Sequence, residues 1–243
     1  MTESTRDVLD SIFSSDTGYS EIDRSAMQQV PTYGEVFDFA SLLTQSPSEE
    51  DLQVFIRDHP RFLLSMDGFA DDSVLALLTK PAIGGRFYAD FALLRFGQGG
   101  CCVHLVELEP ADTSLFTKKL SPARRYQDAI TQVTDWNQWI RPNLTTFVRD
   151  LVDRAKNLPK YPDRSTNGSF RTRDSSSLED CWRGFGGFDQ PHIKFSIVIG
   201  RWARLKEAER KRLVTLNRNE GFFETFTYDQ LVRKGIERPF GHW

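Results

Sequence analysis

Apolar residues recur at three- and four-residue steps in some stretches of this chain and in short consecutive runs in others, a mixture that predicts an α/β fold. Residues 1–47 stand apart: their apolar positions are scattered among Ser, Thr and Asp, and only a short helix over Tyr33–Leu43 is suggested. They read as a peripheral, acidic N-terminal arm. From Ser48 the pattern tightens. Leu52, Phe55, Ile56 and His59 share one helical face, Ser48 is placed to cap and Pro60 to stop, which predicts a helix over Ser48–Asp58. The run Val74, Leu75, Leu77, Leu78 predicts a short strand. Phe87–Phe96 and Cys101–Glu109 are apolar, aromatic and β-branched runs joined by Gly97-Gln98-Gly99-Gly100, a hairpin signature because glycine reaches positive φ without steric cost.

Further on, Ser121-Pro122 has the form of an N-cap with proline at the first helical position. Leu120, Ala123, Tyr126, Ile130, Val133, Trp136 and Ile140 then keep helical spacing to about Arg141, where Pro142 interrupts, and Asn143 opens a second pattern of Leu144, Phe147, Val148, Leu151 and Val152. Residues 157–190, rich in Pro, Gly, Ser and Arg and without a period, predict a long surface insertion. A strand at Ile193–Gly200, a helix at Leu205–Leu216, a strand at Phe222–Thr227 and a helix at Tyr228–Lys234 complete a single domain over 48–243. The order predicts a mixed sheet with helices packed on it.

Composition narrows the class. A chain of 243 residues, 39% hydrophobic with 19 Phe and 5 Trp, can fill a core and is not disordered. It has no run of 18 apolar residues, and MTESTRDVLD lacks the basic and then apolar stretch of a signal peptide, so neither membrane nor secretion is expected. Three Cys, two of them adjacent (Cys101 and Cys102), suit neither a disulfide framework nor a thiol zinc site, and a reduced cytoplasm fits best. The net charge of −3 hides an asymmetry: residues 1–60 carry twelve acids against three arginines, −9, which leaves the remainder at +6. A basic body behind an acidic leader is compatible with a polyanionic partner, and equally with a solubilising leader.

Chemistry concentrates in the hairpin. If it closes at Gln98-Gly99, paired residue numbers sum to 197, and Asp90 faces Glu107. Glu109 follows on the same face, opposite Tyr88. Like charges so placed destabilise a sheet unless something neutralises them. Three convergent carboxylates suit a hard divalent cation such as Mg²⁺, which takes oxygen ligands, although acids at the open end of a hairpin also suit a solvated face.

The segments GGRFYADFALL, HLVELEPADTSLFTKK, AITQVTDWNQWI, SIVIGRW and TFTYDQLV, in this order between about Ser48 and Lys234, resemble the nuclease domain of the Shedu family of bacterial anti-phage defence proteins, a branch of the PD-(D/E)XK nuclease superfamily. The resemblance implies a mixed-sheet PD-(D/E)XK nuclease-like core flanked by helices, Mg²⁺ or Mn²⁺ at paired acids, DNA as substrate and homo-oligomeric assembly. It implies Asp90 and Glu107 as metal acids, Gln132 as the glutamine of the following helix, and Glu49, less so Glu50, as an upstream helical acid. In one place the chain departs from the pattern: the superfamily has Lys two residues after the second acid, and here that residue is Glu109. Some restriction enzymes of the superfamily carry Glu there. Alternatively, Lys118 or Lys119 takes the lysine's role, although loop lysines are ordinarily solvated.

The remaining candidates are weaker. His59 and His104 lack a partner at ligand spacing, and Gly184-Phe185-Gly186-Gly187 neither follows a strand nor opens a helix. Trp136 and Trp139 suit a core or interface more than base stacking. Arg201, Arg204, Lys206, Arg210, Lys211 and Arg212 form a basic run that suits either a solvated face or phosphate contacts. The expected function is a cytoplasmic, divalent-metal-dependent DNA endonuclease of anti-phage defence, with a phage-derived trigger. The alternative is a catalytically silent nuclease fold that binds nucleic acid or senses a phage component.

Overall fold

The computed structural model describes residues 31–64, 66, 73–97, 100–161, 163–165, 167–184, 191–219 and 221–236. Its centre is a six-stranded sheet in the order β6-β1-β4-β5-β7-β8. The strands are β1 (Ser73–Thr79), β4 (Phe91–Gly97), β5 (Gly100–Leu108), β6 (Phe170–Arg171), β7 (His192–Val198) and β8 (Phe223–Phe226), while β2 (Ala82–Ile83) and β3 (Phe87–Tyr88) form a separate two-stranded ribbon. From β6 through β1 and β4 to β5 the pairing is antiparallel, and from β5 through β7 to β8 it is parallel. Strand β5 is therefore the seam between the two halves. Its pairing with β4 runs from Phe91–Val106 to Gly97–Gly100, the register that the glycine turn predicts.

Helices cover both faces. On one side α1 (Tyr33–Thr44), α2 (Glu49–Asp58), α3 (Arg61–Leu64) and α7 (Tyr228–Ile236) pack on Val74, Leu77, Phe91, Leu93, Val106 and Leu108. On the other, α4 (Arg124–Lys156), α5 (Ser175–Gly184) and α6 (Glu207–Asn219) pack on Leu75, Ala76, Ala92, Leu94, Val103 and Leu105. A bulge between Val74 and Ala76 turns the consecutive Leu75 and Ala76 to one face, which is why this apolar run shows no period of two. The sheet is thus buried on both sides. Among the described residues no helix is long and apolar enough to cross a membrane.

Four expectations are corrected. Helix α1 is no peripheral arm: Thr32 and Glu35 form a capping box, and Val36, Phe39, Ala40 and Leu43 are buried against α2 and α3. Residues 1–30 of that arm lie outside the described residues. The predicted strand from Phe87 begins at Phe91, because Phe87 and Tyr88 pair instead with Ile83 and Ala82. Tyr88 consequently stands exposed rather than opposite Glu109.

The long helix starts at Arg124 rather than Ser121, whose hydroxyl pairs with Thr117 Oγ1 at 2.7 Å while Pro122 bridges Phe116. It then runs through Pro142 without ending. Asn143 Nδ2 donates to the Trp139 carbonyl at 2.8 Å, supporting the turn where proline deletes a rung, and burial of Ile140, Phe147, Val148, Leu151 and Val152 carries one apolar stripe across it. Finally, the 157–190 segment is more than a surface insertion. It supplies β6 and α5, and Phe170 and Trp182 are fully buried; residues 162, 166 and 185–190 lie outside the described residues.

Candidate functional site

The acids gather where β5 ends and β4 begins, on the face that α4 covers. Alternation along β5 puts Glu107 on the same face as Val103 and Leu105, and the following residue, Glu109, continues it. Asp90 precedes the first rung of β4, and there the ladder breaks: the Asp90 amide donates to the Val106 carbonyl at 3.1 Å. That shift aims the Asp90 carboxylate at the end of β5, where Oδ2 accepts the Leu108 amide at 2.6 Å. Asp90, Glu107 and Glu109 are all nearly buried, at 4%, 7% and 8% exposure. Asp90 is thus not the direct cross-strand partner of Glu107 that the register predicts, but the three acids lie together, and Asp90 and Glu109 act electrostatically on Glu107.

Each carboxylate is held differently. Asp90 Oδ1 accepts from Gln53 Nε2 at 2.8 Å and from Lys80 Nζ at 2.5 Å. Burial raises its pKa, opposed by Lys80 and the Leu108 amide. Glu107 Oε1 accepts from Gln132 Nε2 at 2.7 Å, whereas Oε2 is buried without a partner among the described residues. Burial, then the charges of Asp90 and Glu109, push Glu107 up to about 9. Glu109 Oε2 accepts from Arg125 Nε at 2.8 Å, and burial raises its pKa against that guanidinium. Arg125 also reaches Glu49 Oε2 at 3.4 Å, and Gln53 ties Glu49 Oε1 at 3.2 Å. Beneath them Tyr228 Oη donates to the Glu109 carbonyl at 2.7 Å.

Of the anticipated residues, Asp90, Glu107, Glu109, Gln132 and Glu49 come together, from β4, β5, α4 and α2. Glu50, one step round the helix, is exposed. Lys118 and Lys119 are exposed on the segment after β5, and the hydrogen bonds of the three acids go elsewhere. Sequence reasoning missed Lys80, Arg125 and Gln53. Only Gln53 left a signal, since it lies four residues from Glu49 on one helical face. Among the described residues no group of three or more His, Cys, Asp or Glu is set to hold a metal ion. Arg125 and Lys80 engage Glu109 and Asp90.

The basic run needs correction. Arg201 is fully buried, its Nε donating to Asp229 Oδ1 at 2.8 Å, so it joins β7 to α7 and cannot meet a phosphate. Arg204 is exposed and pairs with Asp112, Lys206 is exposed, and Lys211 pairs with Glu207 at 2.6 Å. Arg210 lies half-buried over the Trp202 ring, 5.4 Å from its centre. His59 Nδ1 sits 3.3 Å from Glu35 and His104 Nε2 2.7 Å from Ser196 Oγ, so both are tied into structure. Trp136 is core, and Trp139 packs edge-on against Phe147. The three cysteines are free thiols.

A search of the curated proteins found no match. The family described as Shedu protein SduA, C-terminal, matches residues 46–232, from just before α2 into α7 and including every residue of the acid cluster. By that match across most of its length, the chain belongs to the Shedu family.

Proposed function

We propose that this chain is a divalent-metal-dependent DNA endonuclease acting in anti-phage defence, with Asp90 and Glu107 as the metal acids. The observation that carries the reading is Glu107 Oε2: a buried oxygen of a carboxylate crowded by two other acids, with no donor to satisfy it among the described residues. An apolar interior does not keep such a group without a compensating cation or proton. Asp90 and Glu107 offer hard oxygen donors, and the ammonium beside Asp90 marks the spot as one that takes positive charge, so the residues fit Mg²⁺ or Mn²⁺. When bound, the ion would lower the pKa of a water and stabilise charge on the phosphate oxygens.

The chain's own residues do the rest. Gln132 fixes the Glu107 carboxylate by its Oε1, leaving the other oxygen free to ligate. Glu109 is oriented by Arg125 and lies beside the pair, where it is suited to position a water; Arg204, Lys206 and Lys211 offer exposed charge for the DNA backbone.

Purified protein incubated with linear and supercoiled DNA, with Mg²⁺, Mn²⁺ or a chelator, tests this. Cutting that needs the ion and falls at least about 100-fold in both Asp90→Asn and Glu107→Gln is expected. DNA binding without cutting under any ion would instead assign the silent, nucleic-acid-binding alternative.

A further inference from the structure

Four acids, Asp90, Glu107, Glu109 and Glu49, share this site, and the two cations that touch them among the described residues are not equivalent. Arg125 is a fork, spanning Glu109 and Glu49 with its Nε and one terminal nitrogen. Lys80 is a point charge on a flexible stem. Its Nζ touches Asp90 alone among the acids, and its side chain is 57% exposed although Asp90 is buried. One end of this side chain is therefore in the site and its flank faces the solvent from which a polyanion arrives.

The backbone holds it there deliberately. Lys80 takes φ +45°, a left-handed conformation that costs a non-glycine residue about 1 kcal/mol or more, and its amide donates to the Asp90 carbonyl at 2.8 Å. With the Ala89 amide on the Pro81 carbonyl at 3.2 Å, these contacts close the base of the β2–β3 ribbon. Strain of this kind persists where the surroundings fix it, and here it fixes a lysine on the first acid.

We propose that Lys80 is a catalytic residue of this site: it neutralises Asp90 while no divalent ion is bound, and donates hydrogen bonds to a non-bridging phosphate oxygen of DNA once the ion replaces it. It forms no covalent bond and keeps its proton. The inference rests on the nuclease reading and deepens it, because it gives the site a cation that neither Glu109 nor the exposed Lys118 and Lys119 supply.

The test has two arms on the full chain. Without DNA, Mn²⁺ binding is followed by the loss of the free-ion paramagnetic signal; K80Q should bind Mn²⁺ about tenfold more tightly than wild type, since a competing charge is gone. With DNA at saturating Mn²⁺, K80Q should cut about 100-fold more slowly, with little change in the DNA concentration giving half-maximal rate, and K80R should recover part of the loss. K80N, which tolerates the positive φ, guards against misfolding and should behave as K80Q. Full cutting by folded K80Q or K80N, or unchanged Mn²⁺ affinity, overturns the assignment while the nuclease reading stands. Absence of cutting by wild type overturns both.

Discussion

At the residue scale, Asp90 and Glu107 are neighbouring buried acids with opposite fates. Asp90 is surrounded by donors, one of them charged, while Glu107 receives one neutral amide and leaves an oxygen without a donor among the described residues. Glu107→Gln should therefore stabilise the metal-free protein. The folded-state pKa is raised from its ordinary 4.5 to about 9, so the native state binds the proton more tightly than the unfolded chain. Stability then falls as pH rises through that interval and is lowest above it. The gain in Glu107→Gln should be near zero at pH 4 and about 1–3 kcal/mol at pH 8. Thermal melts across pH measure it, and a gain that grows toward acid would contradict the cause. Asp90→Asn should cost about 1–3 kcal/mol, because its new NH₂ must face either Lys80 and Gln53 or the Leu108 amide, and all of these are donors.

The acids were legible in the sequence because the glycine turn sets the register and the register sets the face. Gln132 was legible only through resemblance. Lys80 and Arg125 were not: nothing in a one-dimensional string marks a lysine as the base of a ribbon, or an arginine of the next helix as the clamp on Glu109.

At the element scale, α4 shows how packing overrides a local breaker. Pro142 reads as a helix end, yet ten buried side chains on one stripe outweigh the rung it removes. Its side chain is exposed, so Pro142→Ala changes little but the backbone. The substitution restores an amide and relieves the clash with the Gln138 carbonyl, offset by a freer unfolded chain. A net gain of about 1–2 kcal/mol is expected, read as a higher midpoint in chemical denaturation with unchanged slope. The 157–190 stretch fails as a sequence reading for the opposite reason. Its elements are short, two residues in β6 and ten in α5, and only tertiary contacts such as Phe170 beneath Tyr161 sustain them.

At the scale of the molecule, the sheet separates two cores, and the one opposite α4 is built from segments far apart in the chain. Helices α1 to α3 meet α7 there, with the Phe39 and Tyr228 rings 6.1 Å apart. Phe39→Ala should cost about 3–5 kcal/mol, since the side chain is fully buried, although it lies before the region that the family match covers. A loss under about 1 kcal/mol by denaturant titration would return α1 to the periphery.

That arrangement bears on synthesis. As the chain leaves the ribosome, α1 to α3 emerge early and meet β1, β4 and β5 soon after, but the part of their apolar surface that α7 covers stays open until Tyr228–Ile236 has been made. The Tyr228 hydroxyl that holds the Glu109 carbonyl arrives in the same late segment. A nascent chain stopped before Phe223 therefore carries every acid of the cluster but lacks the support beneath it. The hydroxyl that braces the Glu109 carbonyl is therefore among the last parts of the cluster's surroundings to be made, long after the four carboxylates themselves.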